Sequence, residues 1–522
     1  REMFDLYLEP FRVAFQEAHA KGTMASYNDY DGIPIISSKY FLTEILRKQF
    51  GFDGYVVSDS HALEDLYTKH FVAADLNDAA RMALEAGLNV RTNFSTPLYY
   101  INAIRFGVKN GTIPISLVDE RVKEVLRVKF WMGLFDHPYV ENPKAADKTV
   151  HSKEAQELSL RAARESIVLL KNENNLLPIN NKEKIKTVAI IGPNAKEYKS
   201  LTSRYAPVYP DIIKVYDGIA AELPNTKILY AKGCEHVDKN FPLSDIEDFD
   251  LTKEETDLIN EAVDVASKSD MVFLVVGDGE KTIGEGKSRL NLKLPGRQDD
   301  LVKKIAELNK PTVMILVNGR PATINYANRH IPAIIESWYL GETTGKAIAD
   351  VIFGNYNPGG KLSVPFIKHV GQIPLSFPMK SSADGNGDAN VSGFIYPFGF
   401  GLSYTTFQYN NLKINTDNYK SKGKVEISFT IKNTGKIKGD EVVQLYIHDE
   451  VCSVTTYEKH LRGFDRITLS PNEQKIVRFD LTANDFSILN KDMQRVVEPG
   501  WFTIMIGASS ENICLNSKFE LK

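Results

Sequence analysis

Hydrophobic positions in the first part of the chain alternate between two rhythms. Phe4, Leu8, Phe11 and Phe15 recur at helical spacing and predict a helix over residues 2–20. Phe41, Leu42, Ile45 and Leu46 do the same over 37–50, with Ser37 placed as its cap. Short apolar, β-prone runs stand between such segments: residues 23–28, Tyr55-Val56-Val57, and Leu88-Asn89-Val90-Arg91. Further helical patterns cover 75–86, 97–109 and 117–131. Strand alternating with helix predicts a parallel sheet covered by helices, an α/β fold. Only about three strands fall in this region, where a closed (β/α)8 barrel has eight over about 250 residues.

Residues 136–152 are polar and contain proline, the composition of a linker. Apolar strands then return over 186–191, 227–230, 271–276, 312–317 and 333–337, with helices such as 254–267 and 298–308 between them. This predicts a second α/β domain, a sheet with helices on both faces. Residues 381–393, rich in Gly, Asp, Asn and Ser, read as a mobile loop. From about 409 the period becomes two, as in Val425-Glu426-Ile427-Ser428-Phe429-Thr430-Ile431, with turns at Asn433-Thr434-Gly435 and Glu498-Pro499-Gly500. Several short strands in that stretch predict a β-sandwich of the fibronectin type III kind. The boundaries drawn are 1–145, a linker over 146–164, 165–405 and 406–522.

Composition changes this picture little. With 43% hydrophobic and 25% charged residues the 522-residue chain is of ordinary globular kind, long enough for several domains. A net charge of −4 gives no reason to expect nucleic acid or an anionic membrane as partner. Three scattered cysteines, Cys234, Cys452 and Cys514, match neither metal-ligand spacing nor a disulfide framework. No metal or cofactor is expected, and no apolar run is long enough to cross a bilayer as a helix. The oligomeric state stays open, a homodimer included. The compartment also stays open; a periplasmic or secreted location fits, although no signal sequence is present.

The chemistry-bearing candidate that stands out is Asp59. Ser58-Asp59-Ser60 closes an apolar strand, and in parallel α/β architecture chemistry sits at the carboxyl ends of strands. The local pattern alone reads Asp59 equally well as a cap for the following helix. Glu280 and Glu285, in the polar stretch 277–298, read by default as solvated loop carboxylates. Tyr27 by itself reads as a core aromatic. Arg91, just past a strand, is placed to meet a hydroxyl or a carboxylate, or to form a structural ion pair. Gly192-Pro193-Asn194, Gly277-Asp278-Gly279 and Gly319-Arg320-Pro321 are glycine-bearing strand-end turns, but no full G-x-G-x-x-G or P-loop accompanies them, so nucleotide binding is not expected.

The segment Gly51-Phe52-Asp53-Gly54-Tyr55-Val56-Val57-Ser58-Asp59-Ser60 resembles the nucleophile segment of glycoside hydrolase family 3. Similar matches run along nearly the whole chain: Met24-Ala25-Ser26-Tyr27-Asn28 through Pro34, Ala86-Gly87-Leu88-Asn89, Glu165 to Glu173, Asn357 to Leu362 and Pro397 to Tyr404. The resemblance implies that residues 1–145 are the C-terminal part of a (β/α)8 barrel, beginning roughly two-thirds of the way through it. Earlier family segments that grip the sugar, including a Lys-His pair, would then lie in an N-terminal barrel segment expected in the full protein. Lys69-His70 follows the nucleophile and reads instead as a helix-surface dipeptide.

The resemblance assigns Asp59 as nucleophile and Tyr27 as a residue facing the sugar. Retention of configuration needs a second carboxyl about 5–5.5 Å from the first, donating a proton and then activating water. Matching Arg289, Leu292, Leu294, Pro295, Gly296 and Gln298 to the family loop E-G-x-D-R-x-x-L-x-L-P-G-x-Q puts that acid/base at Glu285, with Glu280 as the lesser candidate. Ser288 stands where Asp is usual, which removes a charge beside Arg289. Glu64 and Asp65 read as capping or pairing residues of the helix after Asp59. The implied function is a retaining, exo-acting β-glycoside hydrolase releasing terminal glucosyl or xylosyl residues from oligosaccharides or aryl β-glycosides. The alternative from another class is a non-catalytic carbohydrate-binding protein, or an inactive remnant of a truncated barrel. A phosphorylase is disfavoured by a Glu, not a His, at position 285. Ser60, where glucose-preferring members often carry a bulky aromatic, leans the expectation slightly towards xylose. Such a contact is worth only about 1–3 kcal/mol of discrimination.

Overall fold

The computed structural model describes the chain except residues 203–204, 206–210, 382, 384–389, 417–418 and 420–422. It divides into two compact units, Arg1–Lys148 and Thr149–Lys522. The mobile loop expected over 381–393 falls largely outside the described residues.

In the first unit three parallel strands, β1 (Gly22–Ala25), β2 (Tyr55–Ser60) and β3 (Val90–Thr92), pair in the order β1-β2-β3. Around them lie α1 (Glu9–Gln16), the π-wound α2 (Tyr40–Gln49), α3 (Ala62–Thr68), α4 (Leu76–Ala86), α5 (Leu98–Lys109) and α6 (Ile115–Trp131). Val56, Leu63, Leu66, Ala79, Ala83 and Leu88 are fully buried between sheet and helices. Two sequence expectations need correction. Residues 2–20 are not one helix: a π-wound turn, Met3–Tyr7, precedes α1. The reason is Pro10, which sits in the first turn of α1, where its missing N–H costs nothing, and would break a helix running through it. The cap near α2 is Ser38, whose Oγ accepts from Phe41 N at 3.3 Å, while the Ser37 hydroxyl donates back to Pro34 O at 3.2 Å.

The second unit opens with α7 (Lys153–Ser166), which occupies much of the stretch 146–164 expected to be a linker. Its polar sequence hides a narrow inner face, in which Ala163 is buried and Leu160 packs against the sheet core. Six strands follow in one sheet: β4 (Val168–Asn172), β5 (Thr187–Ile191), β6 (Lys227–Ala231), β7 (Met271–Gly277), β8 (Thr312–Val317) and β9 (Ala333–Glu336). Their order is β4-β9-β8-β7-β5-β6, parallel except for β4, which runs antiparallel along β9. Alternate side chains feed two apolar layers. Val188, Ile190, Phe273 and Val275 pack with α7, α8 (Val215–Glu222) and α11 (Thr344–Ile352). Ala189, Ile191, Val272 and Leu274 pack with α9 (Lys253–Ser267) and α10 (Gln298–Ala306). The chain order reverses direction between β5 and β7. Such a switch point is the usual functional edge of an open α/β sheet.

The last part is a β-sandwich. A three-stranded sheet, β10 (Phe407–Asn415), β11 (Lys424–Asn433) and β14 (Gln474–Thr482), faces a four-stranded one of β12 (Gly439–Asp449), β13 (His460–Leu469), β15 (Gly500–Gly507) and β16 (Ile513–Leu521). Ile427, Phe429, Leu445, Ile504 and Ile506, drawn from both sheets, form its core.

Candidate active site

Asp59 lies within the last residues of β2, where a register shift between Val57 and Ser60 interrupts pairing with β3. Such a shift next to a strand end re-aims a side chain. Ser58 below it is buried and its Oγ accepts from Thr92 N at 2.8 Å, tying β2 to β3. The Asp59 Oδ1 accepts from Ser60 N at 2.7 Å. The residue flanking α3 is His61, in the left-handed region at φ 64°, and no side chain caps that helix. The capping alternative for Asp59 is therefore not realised. The carboxylate is held at the strand end, half-buried, ahead of a sharp turn.

Ser60 follows on the same strand, half-buried and paired in register with Thr92. Tyr27 lies just past the end of β1, the strand beside β2. The Lys69-His70 pair, expected on a helix surface, is turned back on Tyr27: His70 Nε2 bonds Tyr27 O at 2.9 Å, and Lys69 Nζ stands 5.9 Å from the Tyr27 ring centroid. This long-range contact has no local signature in the sequence. Arg91 meets a carboxylate, that of Glu64 on α3: Nε donates to Oε1 at 2.8 Å, Nη2 bonds the same oxygen, and Nη2 also donates to Ser95 Oγ at 2.8 Å. The Arg91 side chain is 5% exposed, so its fork is spent on fixing α3 to β3. Glu64 is thereby a pairing residue. Next to this pair, burial raises the Tyr100 phenol above its ordinary range.

Glu285 belongs to the second unit, in the loop between β7 and α10. It is exposed, and its carboxylate accepts from the Tyr205 hydroxyl. Gly284 and Gly286 bracket it with φ of 100° and 73°, a turn that only glycine makes without strain. Glu280, the lesser candidate, pairs with Lys199 at 3.5 Å. The two ends of the loop are fixed by buried polar groups. Gln298, fully buried, accepts from Gly277 N at 2.7 Å and donates to Gly277 O at 2.8 Å, closing the loop on itself. Asp278 Oδ1 accepts from Thr282 Oγ1 at 2.8 Å. Arg289 forks onto Asp245, Nε to Oδ2 at 2.7 Å and Nη2 to Oδ1 at 3.1 Å, both side chains being at most 5% exposed. Asp245 thus supplies Arg289 with the charge that Ser288 does not. Gly279 lets the loop lie on His236: a Cβ there would come within 2.6 Å of the imidazole.

Electrostatics under this loop favour neutral forms. Burial lowers the His236 imidazole pKa, and burial pushes the Asp299 carboxyl, in the first turn of α10, up to about 6. Burial also raises Glu336, at the end of β9, well above the usual carboxylate range, although its Oε1 accepts from Trp338 N at 2.8 Å. Asp245 and Glu336 escaped sequence reasoning, and Asp278 and Gln298 entered it only as a strand-end turn residue and a position of the loop match. Asp245 meets Arg289 44 positions away and Gln298 meets Gly277 21 away, contacts with no local signature, while Glu336, bonded to nearby Trp338, is set apart by its burial. Among the described residues no group of three or more His, Cys, Asp or Glu converges to hold a metal ion.

Comparison with known proteins gives this geometry a context. Residues 1–128 match the model of the glycosyl hydrolase family 3 N-terminal domain, 167–404 that of the family's C-terminal domain, and 441–510 a fibronectin type III-like domain. The chain is 40% identical to a β-xylosidase of Formosa agariphila, over 98% of this chain and 70% of that protein. It is 36% identical to a periplasmic β-glucosidase of Salmonella typhimurium, over 100% and 70%. Its fold superposes on a β-glucosidase from Erythrobacter marinus with a TM-score of 0.89 at 33% identity, covering 99% of this chain and 69% of the other. It also superposes on the Listeria innocua β-glucosidase in complex with glucose, with a TM-score of 0.87 at 29% identity, covering 100% and 70%. Motif, domain order and similarity along almost the whole chain agree, and the chain belongs to glycoside hydrolase family 3.

Proposed function

We propose that this protein hydrolyses terminal β-D-xylosyl and β-D-glucosyl residues from oligosaccharides or aryl β-glycosides with retention of configuration. Asp59 attacks the anomeric carbon. Glu285 first protonates the leaving oxygen and then takes a proton from the water that releases the sugar. The observation that carries this reading is the seat of Asp59, a lone carboxylate at the carboxyl end of a parallel strand, in a chain similar over its length to a β-xylosidase and a β-glucosidase. Tyr27, past the adjacent strand end, and Ser60, beside the nucleophile, are proposed to face the sugar. Arg91 supports them from below through Glu64. A small Ser60 leaves the slight lean to xylose.

We also propose that the first unit is the C-terminal portion of a (β/α)8 barrel completed by a further barrel segment. In support, its sheet has three strands, and an apolar cavity of about 480 Å³ opens beside it, lined by Phe11, Phe15, Met24, Ile35, Phe41 and Leu46. Barrel interiors are packed, and open parallel edges are normally covered. The domain limits then follow as barrel portion, α/β domain with the acid/base loop, and sandwich.

The test is the anomer first released from nitrophenyl β-xyloside and β-glucoside by full-length protein, followed by NMR. The β-anomer should form first from both. Initial release of the α-anomer would refute double displacement, and turnover that requires phosphate would point to a phosphorylase. A preference for glucose of about a hundredfold or more would refute the lean to xylose, being at the limit of what one wall contact supplies.

A further inference from the structure

We infer that Arg320, in the turn after β8, is the positioning residue for the acid/base, an inference that rests on the reading of Glu285 given above. The turn that presents Glu285 has two feet, Thr282 and Lys287. A single nitrogen, Arg320 Nη2, donates to both: to Thr282 O at 2.8 Å and to Lys287 O at 3.4 Å. Between those feet Lys287 N donates to Gly284 O at 3.1 Å, so the guanidinium closes a small ring of backbone around the residue it presents.

Arg320 is itself held. Asn318 Nδ2 donates to Arg320 O at 2.8 Å, and Gly319 N donates to Asp278 Oδ2 at 3.3 Å. Pro321 restricts the backbone of Arg320, the residue before it. A Cβ at Gly319 would come within 2.6 Å of the Tyr339 ring, so this turn is seated against its surroundings. The tip needs such a clamp. Both glycines beside Glu285 have positive φ, and its exposed carboxylate meets the Tyr205 hydroxyl, so the backbone of the turn, outside any strand ladder, takes its hold from its feet. Charge-assisted bonds from a guanidinium are about twice as strong as neutral ones, and a group misplaced by about 1 Å loses roughly a hundredfold in rate.

The experiment compares Glu285→Ala, Arg320→Met and Arg320→Lys on two aryl glycosides of the same sugar. One carries a poor leaving group (phenol) that needs protonation; the other carries dinitrophenol, which does not. Loss of acid catalysis lowers the phenyl rate by about 10²–10⁴ and spares the dinitrophenyl bond-breaking step. Azide then accelerates turnover and yields the β-glycosyl azide, because it needs no base. Arg320→Met should give the same signature at about a tenth to a hundredth of the wild-type phenyl rate, with azide product formed. Arg320→Lys, which keeps a cation but not the fork, should lie between and folds if the methionine variant does not. Equal loss on both substrates, or no azide product from either arginine variant, would overturn the role of Arg320. If Glu285→Ala itself lacks the signature, the acid/base assignment fails instead, whichever way Arg320 behaves.

Discussion

The two proposed catalytic carboxylates are held by different means. Asp59 stands in a strand paired with β1 up to Ser58 and with β3 at Val57 and Ser60 on either side of it, and Val56 and Ser58 of that strand are buried. Glu285 stands on a turn between two glycines, held by side-chain bonds: Arg320 from another segment at its feet, the loop's Arg289 reaching out to Asp245, and Gln298 closing the loop's base. Backbone ladders fix the nucleophile as part of the fold. Side-chain bonds fix the proposed acid/base, so its turn can be loosened at Arg320 without breaking a strand ladder. The difference suits the chemistry, because the nucleophile meets one carbon while the acid/base must serve first a leaving oxygen and then a water.

Substitutions should break this contrast in order of size. Asp59→Ala should abolish turnover, by roughly 10⁴–10⁶-fold, the scale of deleting a covalent nucleophile, as measured by kcat on either nitrophenyl sugar. Glu285→Ala should cost about 10²–10⁴ on a phenyl glycoside while leaving thermal stability near wild type, since the carboxylate is exposed. Removing the buried fork is different. Arg289→Met strands Asp245, whose side chain is 5% exposed, and should destabilise the second unit by about 3–5 kcal/mol in denaturant melts, far more than Glu285→Ala. Ser60→Trp should move the xylose-to-glucose ratio of kcat/KM towards glucose by about 1–3 kcal/mol and touch stability little.

The smallest effect concerns pH. Burial raises Glu336 well above its unfolded range, so the folded state binds its proton more tightly than the unfolded chain. Stability from this group is full below the unfolded carboxylate range and is lost as pH rises through the raised folded value. Glu336→Gln cannot ionise. Its melting temperature should therefore gain on wild type as pH rises from about 5 to about 9, with no such gain at acid pH.

The same contrast governs what the sequence discloses. Tyr55-Val56-Val57 followed by Ser-Asp-Ser announces a strand ending in a carboxylate, because strand composition and position are local properties. So do the alternating strands of the sandwich and the apolar runs of β7 and β8. The helix α7 is missed because only Ala163 and Leu160 turn inward, too few for a period. The strand β4 is missed because an antiparallel edge run, Val168–Asn172, carries no turn signal marking it from its neighbours. The role proposed for Glu285 comes only through a family resemblance, since the charges that shape its loop come from Asp245 and Arg320, more than thirty residues away on either side. Arg91 leaves its options open in the sequence; the carboxylate it meets, Glu64, lies 27 residues earlier.

The most direct measurement is trapping of the covalent intermediate. A 2-deoxy-2-fluoro β-glycoside with a good leaving group should inactivate full-length protein with one sugar bound per chain. Peptide mapping should place that sugar on Asp59, and Asp59→Ala should take up none. A sugar found on Glu285, Glu280 or any other carboxylate would contradict the account of a nucleophile built into the strand.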